Sequence, residues 1–169
     1  VAQQIYTWFL MPIVGITQGV QTIIAYFDGH QEEDKRKKTL VSTIGYTVLY
    51  GLMGVVLIDA FGANILSVFS NASDVYQLGK EVLHIIFLTF PLMGIFYTIM
   101  TLYEVTWHEG KAVFLILMRQ VILMSPLVFL LPKIMPEYPL AIFCSVPIAD
   151  IIAMITAVLS KKSKRLSVK

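Results

Sequence analysis

A chain of 169 residues with 57% hydrophobic and only 14% charged side chains lacks the polar surface of a soluble domain, which carries about 25% charged residues. Mean hydropathy is +0.75 and the formal net charge is only +2. These values exclude an ordinary water-soluble globule, and no nucleic-acid partner is expected. The function belongs to what crosses or lies in lipid, and the bilayer is the first partner.

A hydrocarbon core about 30 Å thick takes roughly 20 apolar residues of helix to cross. Five stretches meet that length, near residues 5–25, 39–58, 82–103, 113–131 and 140–159. The expected fold class is all-α, a polytopic transmembrane helix bundle over residues 1–160, with a basic tail at 161–169. The first span contains Pro12 and two glycines four apart, Gly15 and Gly19, a spacing that lets a neighbouring helix approach closely. It also carries Thr17, Gln18, Gln21 and Thr22, which share a face at spacings of three and four. Amides facing lipid are costly, so this face should meet protein or water.

The run Gln31–Lys38 that follows reads as a solvated loop. The second span has no proline but holds Gly45, Gly51 and Gly54. In the connection Asp59–Gly79, the residues Phe61, Ile65, Leu66, Val68 and Phe69 suggest a short interfacial helix. Asn71 or Ser73 would cap the next helix. The third span holds Pro91 near its middle. Tyr97, Thr101 and Glu104 follow at i, i+4 and i+7 on one face. The fourth carries Arg119 and Gln120 and is bent by Pro126. Pro132, Pro136 and Pro139 keep the next connection short and stiff. The fifth contains Cys144, read as a packed apolar thiol, then Pro147 and Asp150.

Basic residues set the expected orientation. Lys35–Lys38, Lys111 and the tail from Lys161 to Lys169 fall on one side, against only Lys80 and Lys133 on the other. Loops rich in Lys and Arg stay cytoplasmic. The C-terminus is therefore expected inside and the N-terminus outside. The chain starts with Val1, and no small-residue cleavage site follows the first span. The expectation is a piece of a longer polypeptide.

Three ionisable groups lie at depth. A charge in hydrocarbon costs several kcal/mol unless it is paired, hydrated or neutralised. Arg119 is the cation available there, and it would pair with Asp150 or with Glu104 to tie helices together. Depth counted along the chain favours Glu104, leaving Asp150 to be protonated or to bond a polar neighbour. The alternatives are that one of these carboxylates titrates or binds a cation during transport, or that Arg119 snorkels to the interface. His30, His84 and His108 have no metal-helix spacing, and no nucleophile elbow, phosphate loop or dinucleotide fingerprint occurs. Neither a cofactor, a metal nor an enzymatic activity is expected.

Laid out in order, the segments resemble the bacterial form of the multidrug and toxic compound extrusion (MATE) family. The resemblance rests on Met11-Pro12-Ile-Val-Gly15-Ile-Thr-Gln18-Gly19-Val-Gln21-Thr-Ile-Ile-Ala-Tyr26, on Phe90-Pro91, on Lys111 through Arg119-Gln120-Val121 with Pro126, and on Pro147-Ile-Ala-Asp150. It implies two six-helix lobes, of which this chain would supply the last five of twelve helices, an incomplete lobe. The missing N-terminal lobe and seventh helix would be its partners. It also implies a bacterial inner-membrane antiporter that exports organic cations or other small amphipathic compounds in exchange for Na⁺ or H⁺ by alternating access. The expected substrate-pathway residues are Gln18, Gln21, Tyr97, Thr101 and Glu104. The chain departs from the family pattern at Thr22, Phe27, His30, Glu104 and Trp107. Some members place an acid near Met93–Gly94, where this chain has none. The coupling-ion site is therefore expected outside this chain. Two alternatives are a flippase for lipid-linked oligosaccharides of the same superfamily, which would need more cations than Arg119, and a scaffold without transport.

Overall fold

The computed structural model describes residues 2–69, 73–106, 109–134 and 140–163. They form α1 (Ala2–Gly29), α2 (Glu33–Phe69), α3 (Ser73–Phe87), α4 (Phe90–Val105), α5 (Glu109–Leu117), a π-helical turn (Met118–Leu123), α6 (Met124–Ile134) and α7 (Ala141–Ser163). No strand occurs among the described residues. α1, the first part of α2, the α5–α6 unit and α7 are each long and apolar enough to cross a membrane. α3 and α4 together make a fifth crossing, bent by 44° at its break. The protein is an all-α transmembrane bundle.

Several boundaries differ from the sequence expectation. Residues 33–38 are not loop but the opening turns of α2. The turn before them is tight. Glu32 N–H donates to Phe27 C=O and Gln31 N–H to Asp28 C=O, the paired bonds of a Schellman stop. Gln31 takes the left-handed position, φ 55°, which glycine usually fills. No separate interfacial helix forms after the second span. α2 continues unbroken to Phe69, a run of 37 residues that extends about 55 Å at 1.5 Å per residue. Nothing between Asp59 and Phe69 stops it, because Gly62 alone is a weak breaker. α3 starts at Ser73; Asn71, the other candidate cap, lies outside the described residues. So do Trp107, His108, Pro136, Pro139 and the tail from residue 164. Pro132 lies inside α6 and does not begin a loop.

Unlike a water-soluble protein, the bundle is apolar outside as well as in its core. Trp8, Val41, Tyr46, Val56, Phe129 and many other large apolar residues are exposed, as a lipid-facing surface requires. The interior holds Thr17, Thr43, Thr47, Thr98 and Thr101. Each of these hydroxyls donates to a carbonyl three or four residues back in its own helix, so none of the five enters the core unsatisfied.

Small residues set how close the helices come. A Cβ on Gly51 would lie 2.7 Å from the Cα of Pro91, and one on Gly94 would lie 2.7 Å from Thr47 Oγ1 and 3.0 Å from its backbone carbon. The α2–α4 seam therefore depends on Gly51 and Gly94. Ala149, Ala153 and Ala157, all fully buried, lie four apart along α7. Ala153 and Ala157 pack in a cluster with Met93, Phe96, Met100 and Tyr103 of α4. Gly15 and Gly19 behave differently: a Cβ at either would meet nothing. Their face of α1 has no helix against it among the described residues.

Two outcomes follow from these contacts. Gly94→Val and Gly51→Val should each destabilise the bundle by about 1–3 kcal/mol, because backbone must move to admit the side chain. Gly45→Ala, where a Cβ meets open space, should be neutral or slightly stabilising. Thermal unfolding in detergent distinguishes them, and equal melting of all three variants would contradict the seam. Gln31→Gly should raise stability by about 1 kcal/mol by relieving the left-handed backbone.

Candidate functional site: a buried ion pair joining three crossings

Each of the last three crossings is irregular, and the irregularities meet. The third is broken at Leu88–Thr89, immediately before the Phe90-Pro91 that opens α4. Proline suits the first turn of a helix, where its missing N–H is not needed, and disfavours helix continuing through from before it. The fourth widens into the π-helical turn Met118–Leu123. Pro126 cannot donate to the carbonyl of Ile122, and the ladder shifts there: Met124 N–H donates to Arg119 C=O, five residues back. In the fifth, α7 carries Pro147 inside it, three residues before Asp150.

Arg119, on the π-helical turn, reaches Asp150 with two groups. Its Nε donates to Asp150 Oδ1 at 2.8 Å, and Nη2 lies 2.7 Å from the same oxygen. The second carboxylate oxygen, Oδ2, accepts from the Thr89 hydroxyl at 3.2 Å. Asp150 is 1% exposed and Arg119 13%. Thr89 sits at the N-cap position of α4 yet makes no side-chain capping bond; its hydroxyl bonds Asp150 instead. The network thus joins α7, the π-helical turn and the break in the third crossing.

Aromatic rings enclose the pair. The Arg119 guanidinium lies 5.9 Å from the centroid of Phe96, within the range of cation–π attraction. The phenols of Tyr6 and Tyr97 lie within electrostatic reach of both charges. Tyr6 packs edge-on against Phe87 and Phe90, with centroids 5.7 and 5.5 Å away, and so seals the helix break from the α1 side. Its buried hydroxyl lies near the guanidinium but makes no well-formed hydrogen bond among the described residues.

The remaining expected site residues are spread over the bundle. Gln18 is exposed and Gln21 half-buried on α1. Tyr97 is half-buried beside Arg119. Thr101 is buried, and its hydroxyl donates to the carbonyl of Tyr97 at 3.1 Å. Glu104 is exposed at the end of α4 and forms no ion pair among the described residues, so Arg119 bonds Asp150 and not Glu104. Two members of the buried network, Thr89 and Tyr6, were not singled out from the sequence. Thr89 had a local signal, a threonine two residues before a helix-opening proline. Tyr6 had none. Among the described residues no three His, Cys, Asp or Glu side chains come together to hold a metal.

The MatE family profile matches residues 1–131. The chain belongs to the MatE family. The MatE chain is similar to a solved structure of the MATE multidrug transporter DinF-BH, with TM-score 0.86 and 28% identity over 96% of this chain and 36% of that one. A second solved chain, named protein A, aligns with the same figures. The MatE segment therefore spans about a third of the length of the structures it matches. No curated protein sequence matches it.

Removing one partner of a buried ion pair leaves the other charge uncompensated, at about 3–5 kcal/mol. Arg119→Ala should therefore destabilise the bundle by that order, and Arg119→Ala with Asp150→Ala should recover part of the loss. Additive losses in a double-mutant cycle of unfolding would refute the pairing.

Proposed function

We propose that this MatE segment is the C-terminal part of a secondary antiporter that exports organic cations or other amphipathic drugs in exchange for Na⁺ or H⁺ by alternating access. The observation that carries the reading is the likeness to a multidrug transporter along 96% of the chain. The ion-pair network supports it. Alternating access needs elements with two arrangements whose ligand affinities differ, and a helix break, a π-helical turn and a proline inside a helix are places where a bundle can bend without losing its core.

In this reading the polar groups on α1 and α4 line the substrate path. Gln18, Gln21, Tyr97, Thr101 and Glu104 supply amides, hydroxyls and one carboxylate that bind adaptably, while apolar walls hold the body of the substrate. The outward position of Gln18, Gly15 and Gly19 fits a face of α1 that meets the missing lobe, the seventh helix or an aqueous passage. Glu104 is the anionic group for a cationic substrate. Arg119 and Asp150 hold the helices of this lobe together while it moves. The coupling ion binds outside this segment, and no bond is made or broken in the cycle. The protein sits in a bacterial inner membrane with the basic segments on the cytoplasmic side.

Efflux by the full-length protein tests the assignment. Gln21→Ala should weaken export several-fold for large substrates, and Glu104→Gln should weaken export of cationic compounds more than neutral ones. Resistance unchanged by both variants would remove this face from the path.

A further inference from the structure

An open groove of about 420 Å³ lies between α1 and α2 at their hairpin end. Ile16, Val20, Ile23 and Phe27 form one wall at i, i+4, i+7 and i+11 of α1. The facing wall on α2 runs from Lys35 and Lys38 at the hairpin end, past Ser42, to Tyr46. Eleven residues of α1 cover about 16 Å. The groove is thus apolar along its length and cationic at one end only.

The charges of the hairpin are sorted. Arg36 pairs with Asp28, and Lys37 pairs with Glu33 at 3.1 Å and Asp34 at 3.9 Å. Lys35 shares Glu32 at 2.9 Å and lies 5.8 Å from the Phe27 ring. Lys38 forms no ion pair among the described residues. No acidic residue lines the groove. Its rim therefore offers an ammonium group without a counter-ion among the described residues, a second one shared with a single carboxylate, and the hydroxyl of Ser42. A cationic drug would be repelled there.

We propose that this groove binds one anionic phospholipid, its phosphate on Lys38, Lys35 and Ser42 and an acyl chain along Ile16, Val20 and Ile23. An amphiphile with one negative end matches both the polarity and its direction. Lysines at a membrane surface attract anionic lipid, and here the attraction is joined to a built apolar channel. This site stands apart from the substrate path and holds whether or not the antiport reading does.

The full-length protein, purified in detergent, is titrated with phosphatidylglycerol, phosphatidylcholine or glycerol phosphate and read by native mass spectrometry. One phosphatidylglycerol should be retained about tenfold more strongly than phosphatidylcholine, with a negligible response to glycerol phosphate. Lys35→Gln with Lys38→Gln should abolish the preference, and Ser42→Phe, which fills the groove and keeps both lysines, should lose the lipid. Lys80→Gln and Lys111→Gln, exposed charges elsewhere, should retain it. Circular dichroism of each variant establishes that the helices persist. Equal retention of both lipids, retention by Ser42→Phe, binding of glycerol phosphate alone, or a second protein copy in place of the lipid would overturn the proposal.

Discussion

A charged group in hydrocarbon is costly unless it is paired, hydrated or neutralised, and among the described residues the Arg119–Asp150 pair answers that demand. Asp150 is enclosed on α7 and Arg119 reaches it from the π-helical turn. Neither charge could be buried without the other. The carboxylate's second oxygen is taken by Thr89, so the acceptor capacity that Arg119 leaves is also used. This matters because a buried ion pair stabilises only when its remaining hydrogen-bonding groups are satisfied as well. The break in the third crossing and the π-helical turn in the fourth are the backbone's contribution. The proline-linked break frees Thr89 from capping duty, and the widened turn carries Arg119 where it meets α7.

The apolar packing places the pair. Gly51 and Gly94 let α2 press against α4. Ala149, Ala153 and Ala157 give α7 a narrow buried edge, two members of which pack with α4. Association of helices in lipid draws little from the hydrophobic effect and much from close contact and interhelical polar bonds. The structure uses both, with small residues along the seams and a single charge network where the seams meet. Tyr6, Phe87 and Phe90 pack ring against ring beside the helix break.

Much of this was legible in the sequence, and the rest was hidden for identifiable reasons. Hydropathy marks all five crossings, because apolar length is a property of the chain itself. Pro91 signals an irregularity in the third crossing, but proline alone does not distinguish a kink from a break. The partner of Arg119 was harder to read. Counting residues from a boundary gives depth along a straight, untilted helix, and by that measure Glu104 lies nearer than Asp150. Which face of the fourth crossing Arg119 occupies depends on the π-helical turn, which adds a residue to the local ladder and rotates everything beyond it. The continuation of α2 past Asp59 was hidden by amphipathic spacing that suits an interfacial helix and an extended membrane helix equally. Gly15 and Gly19 show the limit of a motif: their spacing permits a close neighbour but does not say which segment of the polypeptide provides it.

The central claim is that the Arg119 guanidinium and the Asp150 carboxylate are in direct contact within the membrane. Solid-state NMR on the bilayer-embedded protein, with ¹⁵N-labelled arginine and ¹³C-labelled aspartate, measures that contact as dipolar dephasing between Arg119 Nε and Asp150 Cγ. The 2.8 Å Nε–Oδ1 bond predicts strong dephasing of the Arg119 Nε signal that vanishes in Asp150→Asn when only aspartate is labelled, while the dephasing of Arg36 by its own partner Asp28 persists. An Arg119 signal with no dephasing from any aspartate would contradict the account.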